Sequence, residues 1–464
     1  MDALNNIVVQ VDGFLWNNIL LFLLVGTGIF YSFRTNFVQV RRFGAAMKRV
    51  FGGFNLNGKK AGKDGMSSFQ ALTTAIAAQV GTGNIAGCAT ALVSGGPGAI
   101  FWMWLSAFFG MSTIYAEATL AQKTKIRGSD GEISGGPYFY IRTAFKNKFG
   151  KCFAVFFSIA VIFALGFMGN MVQSNSISEA FHTAFGVPKF VLGIICAVIA
   201  AFIFVGGIRR IASFTEKVVP VMAILYIVGS IVVLVINHEN LLPALGSIFT
   251  CAFDPQAVLG AGAGIGVREA MRYGVARGLF SNEAGMGSTP HAHALAKVEK
   301  PSDQGETAMV GVFIDTFVIL TLTALVILSS GMLEFGEGAT TGTALAQQAF
   351  STAFKSAGSA FIAICMFFFA FSTIIGWYFF GRTNIRILFG DKAIKIYSIL
   401  VAVFIFIGSL LKVDLVWNLA DLFNGLMVIP NLCAILALSG IVHKVAKGED
   451  PELRINPELT RIKK

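Results

Sequence analysis

Most of the chain consists of long apolar runs that are separated by short polar segments. A helix needs about 20 residues to cross roughly 30 Å of hydrocarbon. The pattern therefore predicts an all-α, polytopic membrane protein with about eleven spans, at 14–34, 67–95, 97–123, 152–180, 188–207, 213–237, 272–297, 307–331, 357–381, 394–411 and 415–442. No polar segment is long enough to fold alone, so residues 1–464 are predicted to form a single membrane domain.

The second apolar run is interrupted by Gly81-Thr82-Gly83-Asn84 at the depth where a helix would cross the bilayer midplane. Two glycines in a short run favour a break in the helix, which frees backbone N–H and C=O groups. Hydrocarbon offers these groups no hydrogen-bond partner, so such a break is tolerated only where it is buried or lines a cavity. The motif therefore predicts a binding site of the kind found in transporters.

The seventh run contains a second interruption, at Gly285 and Gly287, with Pro290 close behind. If the first helix is set aside, the remaining ten spans divide into two sets of five, at 67–237 and 272–442. Because five is odd, the second set starts from the opposite side of the membrane, as inverted repeats require. The breaks then occupy corresponding positions, which indicates a binding site. The alternative is that the glycines allow close helix packing, which would explain either break alone.

The distribution of charge predicts the orientation of the chain. Threading the spans alternately places thirty of the 36 Lys and Arg residues on one side, which the positive-inside rule assigns to the cytoplasm. The N-terminus is then outside the cytoplasmic (plasma) membrane, and the tail at 443–464 is cytoplasmic. A basic inner face beside anionic lipid explains the net charge of +11 without nucleic acid. Asp2 and Asp12 precede the first helix, so it is predicted to be retained rather than cleaved as a signal peptide.

Composition and motifs argue against other classes of protein. The chain is 55% hydrophobic and its mean hydropathy is +0.71, as is ordinary for a membrane protein. The six cysteines are scattered singly, which indicates neither a disulfide framework nor a zinc site. The stretch GFNLNGKK at 53–60 imitates a phosphate-binding loop, but Lys59 is followed by Lys60 rather than by Ser or Thr. GAGAGIG at 260–266 lacks the dinucleotide spacing. Neither ATP nor an organic cofactor is therefore expected.

The first break carries the groups that a zwitterion and a small cation need. Amides freed at the start of the following half-helix attract a carboxylate, and carbonyls freed before it attract a cation. Gln79, Thr82 and Asn84 supply further neutral donors and acceptors. Each side chain has a plainer alternative role, because a buried Thr or Asn also serves to repair the backbone.

Carboxylates inside predicted spans need a partner or a task, and Glu283, Asp315 and Glu117 are three of them. Glu283 either binds a substrate ammonium or a cation, or forms a structural pair with a nearby base such as Arg277. Its neighbour Asn282 is a candidate for substrate or ion contact. Asp315, in the eighth span, is an ion, proton or pairing residue. Glu117 lies close to the cytoplasmic end of the third span and is expected to be structural.

The ninth span places Ser372 and Thr373 side by side in an otherwise apolar helix. Two adjacent hydroxyls beside freed carbonyls suit a hard cation that prefers oxygen ligands. Alternatively, each hydroxyl bonds back to its own helix one turn earlier. Trp377 follows Thr373 by four residues, so it shares that helix face and is expected to wall a pocket. Gln173, at mid-depth of the fourth span, is expected to bind a carboxylate or an amine.

Four motifs give the chain a resemblance to a known family. AAQVGTGNIAG, SGGPYFYI, GVARGLFSNEAGMGS and STIIGW resemble motifs of the alanine or glycine:cation symporter family, the sodium:alanine symporters, and the resemblance covers essentially the whole chain. It implies a leucine-transporter-type fold of two inverted five-helix repeats with an extra N-terminal helix. It also implies import of small neutral amino acids, such as alanine and glycine, by alternating access, with Na⁺ as the co-transported ion.

The same resemblance implies roles for individual residues. The substrate site would comprise Thr82, Gly83, Gln173, Asn282, Thr373 and Trp377. Thr82 and Gly83 would cradle the substrate carboxylate. Sodium would lie between the carbonyl oxygens of Ala77 and Val80 and the hydroxyls of Ser372 and Thr373. Whether a further ion uses Gln79 and Asn84 stays open.

Three rival functions remain to be weighed. A proton-coupled amino-acid symporter would use Asp315 or Glu283 for coupling. A passive channel would show no dependence of substrate accumulation on an ion gradient. A membrane-embedded enzyme is disfavoured, because the spans contain no His, Cys or Ser pairing with base-like spacing.

Overall fold

The computed structural model describes residues 2–52, 65–128, 131–254, 265–336, 338–411 and 414–453. The helices that build the membrane domain are α1 (Asn5–Arg34), α2 (Ser68–Gln79), α3 (Gly83–Gly95), α4 (Gly98–Thr124), α5 (Lys148–Phe185), α6 (Lys189–Val205), α7 (Gly207–Ile236), α8 (Val267–Asn282), α9 (Pro290–His293), α10 (Pro301–Ser330), α11 (Ser356–Phe389), α12 (Asp391–Leu410) and α13 (Val416–Ala437). The GFNLNGKK stretch, most of GAGAGIG and the tail beyond residue 453 lie outside the described residues.

Within these ranges, eight helices are long and apolar enough to cross a membrane, and the bent pair of α2 and α3 makes nine. The other two predicted spans correspond to α6, a helix of 17 residues, and to α8 with α9, which a break separates. Large apolar side chains such as Val198, Ile224 and Ile396 are more than half exposed on the outer faces, as expected beside lipid. The predicted multi-pass membrane class is confirmed, whereas the count of eleven spans stays a prediction.

The first predicted break is confirmed, because α2 and α3 form one apolar span that bends by 49°. Helix α2 begins at a capping box in which the Ser67 hydroxyl accepts from the Gln70 amide and the Gln70 side chain accepts from the Ser67 amide. The helix ends at Val80, whose φ of −81° and ψ of 92° are extended. The chain passes very close to α11 here, since a Cβ on Gly81 would overlap the Thr373 hydroxyl.

The second predicted break is also confirmed. Helix α8 ends at Asn282, and Glu283 takes a left-handed conformation with φ of 58°. Gly285 and Gly287 follow with φ of 93° and 78°, values that glycine adopts without a Cβ clash. Helix α9 then begins at Pro290, a residue that favours the first position of a helix. A non-helical segment therefore separates the two helices.

Widened helical turns occur close to both breaks. Helix α3 opens with the π-helical turn Gly83–Gly87, α5 contains Ile162–Gly169 and α10 contains Phe313–Leu320. Such turns are rare in helices and occur frequently at functional sites. Two of the three include a candidate residue, Gly83 and Asp315, so the local backbone is irregular where the polar groups gather.

Several shorter elements were not predicted from the sequence. Two-residue strands β1 (Ile126–Arg127) and β2 (Ile133–Ser134) pair antiparallel between α4 and α5, a small exception to the all-α prediction. The additional helices are Val38–Arg41, Phe43–Phe51, Pro137–Ala144, His238–Phe253, Gly342–Phe354 and Ser439–Ala446. These helices are too short to be recognised as spans from hydropathy, because a span needs about 20 apolar residues.

Helix α11 occupies the interior of the domain. It packs against α2, α5 and α12, and its residues 369–380 are all buried. A polar side chain on this stretch therefore faces protein rather than lipid, and it needs a hydrogen-bond partner.

Candidate binding site at the two helix breaks

Oxygen atoms from the first break and from α11 converge around Thr373. Its hydroxyl lies 2.9 Å from the carbonyl oxygen of Ala77, 3.3 Å from that of Val80 and 3.0 Å from that of Phe369. The Ser372 hydroxyl lies 3.4 Å from the Ala77 oxygen and 2.9 Å from the Phe369 oxygen. Each hydroxyl has one hydrogen to donate, so acceptor lone pairs outnumber donors. This is the oxygen-rich environment that a hard cation prefers.

The four residues predicted to bind sodium therefore lie together. The alternative in which each hydroxyl bonds back to its own helix is confirmed at Phe369, and both hydroxyls also reach the Ala77 carbonyl of α2, whereas cation binding stays a prediction. The carbonyl of Phe369 is an additional member of the cluster that sequence reasoning missed. No sequence pattern marks one main-chain carbonyl of an apolar helix as a ligand. The nearby hydroxyls of Ser372 and Thr373 were the only indication of this position.

The amide end of the first break faces Gln173 on α5. The Thr82 amide donates to Gln173 Oε1 at 3.2 Å, and the Gly81 amide donates to Asn84 Oδ1 at 2.9 Å. The Thr82 hydroxyl is buried and has no hydrogen-bond partner among the residues that the structure describes. Backbone amides beside a spare hydroxyl can bind an acceptor such as a carboxylate.

Asp315 connects the two breaks through neutral donors. One carboxylate oxygen accepts from Asn84 Nδ2 at 2.6 Å and from Ser281 Oγ at 2.9 Å. The other accepts from Thr316 Oγ1 at 2.9 Å. The backbones are close here as well, because a Cβ on Gly83 would lie 3.1 Å from Ser281 Cα. Asp315 thus joins α10 to both interrupted spans.

Asn282 and Gln79 form a second connection between the breaks. Gln79 Nε2 donates to the Asn282 carbonyl at 2.6 Å, whereas Gln79 Oε1 has no partner within the described part of the chain. Asn282 Nδ2 donates to Thr316 Oγ1 at 3.1 Å, and its Oδ1 accepts from the Ala284 amide at 3.1 Å. The Asn282 side chain therefore stabilises the end of α8 while lying beside the first break.

The predicted alternative that pairs Glu283 with Arg277 is wrong. Arg277 instead lies 3.1 Å from Asp421 on α13. Glu283 follows the end of α8, so it does not share a helical face with Arg277. Its two carboxylate oxygens accept from Trp377 Nε1 and from Ser288 Oγ, each at 2.5 Å. Trp377 is therefore tied to the second break.

Glu117, on α4, binds the non-helical segment of the second break directly. Its carboxylate accepts from the amides of Gly285 and Gly287 at 3.1 and 3.0 Å and from Asn431 Nδ2 at 2.5 Å. These contacts support the structural role predicted for Glu117. The residue lies at the break, however, rather than only near the end of its span, and Asn431 is a partner that the sequence did not reveal.

The segment at the end of the seventh predicted span is hydrogen-bonded to α4, mainly through the side-chain amide of Gln122. Gln122 Nε2 lies 2.5, 3.3 and 3.0 Å from the carbonyl oxygens of His293, Ala294 and Ala296. Lys125 Nζ lies 3.0 Å from the Ala296 oxygen, and burial lowers the pKa of this ammonium group. The segment after α9 is thus held by hydrogen bonds to its carbonyl groups.

Solved structures share this fold. MhsT in complex with L-phenylalanine has a TM-score of 0.59 at 14% identity, covering 84% of this chain and 98% of that one. The manganese transporter of Eremococcus coleocola has a TM-score of 0.55 at 13% identity, covering 85% of this chain and 82% of that one. At these identities the likeness concerns the fold alone. The fold is of the leucine-transporter type, as predicted, and together with the paired breaks it defines a membrane transporter.

The chain belongs to the sodium:alanine symporter family, whose sequence profile matches residues 1–452. It is 42% identical to the sodium/alanine symporter AgcS of Methanococcus maripaludis, over 97% of this chain and 98% of that relative. It is 39% identical to the probable sodium/glutamine symporter GlnT of Bacillus subtilis, over 97% and 93%. The predicted family is confirmed. The protein is a transporter rather than an enzyme, and the family indicates sodium as the co-transported ion.

Proposed function

We propose that the protein imports small neutral amino acids, alanine and glycine, together with Na⁺ across the cytoplasmic membrane by alternating access. The observation that carries this proposal is the convergence of the Ala77 and Val80 carbonyls with the hydroxyls of Ser372 and Thr373. The proposed orientation has the N-terminus outside and the C-terminus in the cytoplasm. The names of the relatives support both alanine and a larger amide substrate within the family.

Sodium is proposed to bind in the oxygen cluster, with the Phe369 carbonyl as a fifth ligand. A cation there would contact both the end of α2 and the middle of α11, so its binding would hold the first break against α11. The Thr82 amide and hydroxyl follow directly in the chain, so the same event would order the groups proposed to bind the substrate carboxylate. Each ligand would then raise the affinity of the protein for the other by thermodynamic linkage.

The amino acid is proposed to bind beside that cluster. Thr82 and Gly83 would hold its carboxylate, with the remaining contacts supplied by Gln173, Asn282, Thr373 and Trp377. Thr82 N and Gln173 Oε1 already face each other at 3.2 Å, so a carboxylate would replace the side-chain oxygen as acceptor. The large Trp377 indole would restrict the side chain of the substrate.

The function is tested by uptake of labelled alanine into liposomes that contain the purified protein. An inward Na⁺ gradient is compared with a K⁺ gradient and with a proton gradient. Concentrative uptake with Na⁺ alone, inhibited by excess glycine, is the expected result. Uptake driven by protons alone would favour coupling through Asp315 or Glu283, and uptake that never exceeds equilibrium would indicate a channel.

The sodium site is tested by Thr373→Val, which keeps the shape of the side chain but removes the central hydroxyl. We expect the Na⁺ concentration for half-maximal uptake to rise by roughly tenfold or more, since a hydrogen bond or ligand contact of this kind is worth about 1.5 kcal/mol. Thr383→Val is the matched control, because Thr383 lies on the same helix and bonds only to its own helix at Phe379. An unchanged Na⁺ dependence in Thr373→Val would contradict the assignment.

A further inference from the structure

Trp377 has one polar atom, and Glu283 binds it. The indole is 1% exposed, and its Nε1 donates to Glu283 Oε1 at 2.5 Å. The second carboxylate oxygen of Glu283 is fixed in turn by the Ser288 hydroxyl at 2.5 Å. Rotating the indole away would break this bond and leave buried polar atoms without partners.

Close packing restricts the same ring from two other sides. A Cβ on Gly169 would lie 2.5 Å from Trp377 Cζ3 and 2.6 Å from Cε3, so the ring lies flush against the backbone of α5. The Phe280 ring meets it edge to face, with centroids 6.0 Å apart and planes at 87°. The orientation of the indole is therefore set by the hydrogen bond at Nε1 and by packing around the ring.

Among the residues that the structure describes, the Glu283 carboxyl group has two hydrogen-bond partners, Trp377 and Ser288, and no basic partner. Arg277, the nearby base on α8, is paired with Asp421. A carboxylate at this depth is costly and indicates a task. The residue also takes the left-handed conformation with φ of 58°, which is unfavourable in a residue with a Cβ. Glycine would be easier to accommodate in the backbone here but would lack the acceptor.

We propose that Glu283 is a positioning residue that limits the size of the substrate side chain by holding the Trp377 indole in place. It acts through Trp377 and does not bind the substrate itself. This inference rests on the proposed amino-acid pocket. It adds that the size limit depends on a hydrogen bond between the second break and α11, and not only on the bulk of the aromatic ring.

The inference predicts that selectivity changes when the bond is removed. Glu283→Ala removes the acceptor and frees the indole, so the pocket can take longer side chains. Trp377→Phe removes the donor together with part of the ring, so it should act in the same direction and at least as strongly. One additional methylene in an apolar pocket is worth about 10–200-fold in discrimination. We therefore expect the uptake of 2-aminobutyrate and valine, relative to alanine, to rise by about tenfold in each variant. Glu283→Gln keeps an oxygen acceptor and should restore a ratio close to that of the unchanged protein.

The experiment measures competition by alanine, 2-aminobutyrate and valine for Na⁺-driven uptake in liposomes. The main comparison is between the unchanged chain, Glu283→Ala, Glu283→Gln and Trp377→Phe. The double variant of Glu283→Ala and Trp377→Phe should show no gain in the ratio beyond that of Trp377→Phe, because the bond is already absent in the single variant. Trp102→Phe is the matched control, since it also removes an indole hydrogen bond, to the Ala252 carbonyl, away from the breaks.

Two outcomes would overturn the inference. One is an unchanged selectivity ratio in Glu283→Ala, or in Trp377→Phe if Glu283→Ala does not fold. The other is a loss of alanine affinity in Glu283→Gln at constant ratio, which would mean that the carboxylate binds the substrate ammonium directly. Failure of the proposed function is distinguishable, because the unchanged protein would then show no Na⁺-driven accumulation of alanine.

Discussion

Replacement of Glu117 by alanine is expected to destabilise the protein by at least about 3 kcal/mol. The buried carboxylate accepts from the amides of Gly285 and Gly287 and from the Asn431 side chain. Each buried donor left without a partner costs about 1–3 kcal/mol, so three donors give about 3–9 kcal/mol. The lower figure is used as the minimum expected effect. An unfolding entropy of about 2 cal/mol/K per residue, over 464 residues, converts 3 kcal/mol into a fall in Tm of roughly 3 °C.

The assay is thermal unfolding of the purified protein in detergent at a fixed Na⁺ concentration. Glu179→Ala is the matched control, because Glu179 is about half exposed and its pair with Lys189 is worth at most about 1 kcal/mol. Glu117→Gln should fall between the two, since its amide keeps one acceptor oxygen. Equal melting temperatures for Glu117→Ala and Glu179→Ala would refute the reasoning that Glu117 supports the second break.

Two further changes test the contact between the breaks. Gly83→Leu should abolish alanine uptake while the amount of protein stays normal, because even a Cβ at this position would lie 3.1 Å from Ser281 Cα. Retained transport would contradict the placement of Gly83 in the site. Asp315→Ala leaves the donors of Asn84 and Ser281 without an acceptor, so Na⁺-driven alanine uptake per molecule of protein should fall by about tenfold or more. Full activity would mean that transport does not require the hydrogen bonds of the Asp315 carboxylate.

The helix breaks could be predicted from the sequence because their signal is local. Glycines at 81, 83, 285 and 287 interrupt apolar runs, and hydrophobic pattern alone placed both interruptions in corresponding spans. The convergence of Ala77 and Val80 with the hydroxyls of α11 joins segments almost 300 residues apart in the chain. The prediction that these groups converge came from the family resemblance, because no spacing rule in the sequence relates two such distant segments.

Partners that depend on three-dimensional packing were not predictable. Arg277 is six residues from Glu283, and proximity in the sequence suggested a pair, yet its partner Asp421 lies on α13. The Trp377–Glu283 bond and the three donors that meet Glu117 likewise join elements whose relative placement only the folded chain fixes. Surface helices such as His238–Phe253 were missed because their apolar length is below that of a span.

The hydrogen bonds of Gln122 have a consequence for how the end of the seventh span can move. A carboxamide has two N–H groups, but three carbonyl oxygens, those of His293, Ala294 and Ala296, lie within its reach. Exchanging one acceptor for another leaves the number of bonds unchanged. A short shift of this segment along α4 therefore need not cost Gln122 a hydrogen bond, whereas the bond from Lys125 Nζ to the Ala296 oxygen opposes a longer one. The seventh span is thus held to α4 at its break by Glu117 and at its end by Gln122 and Lys125.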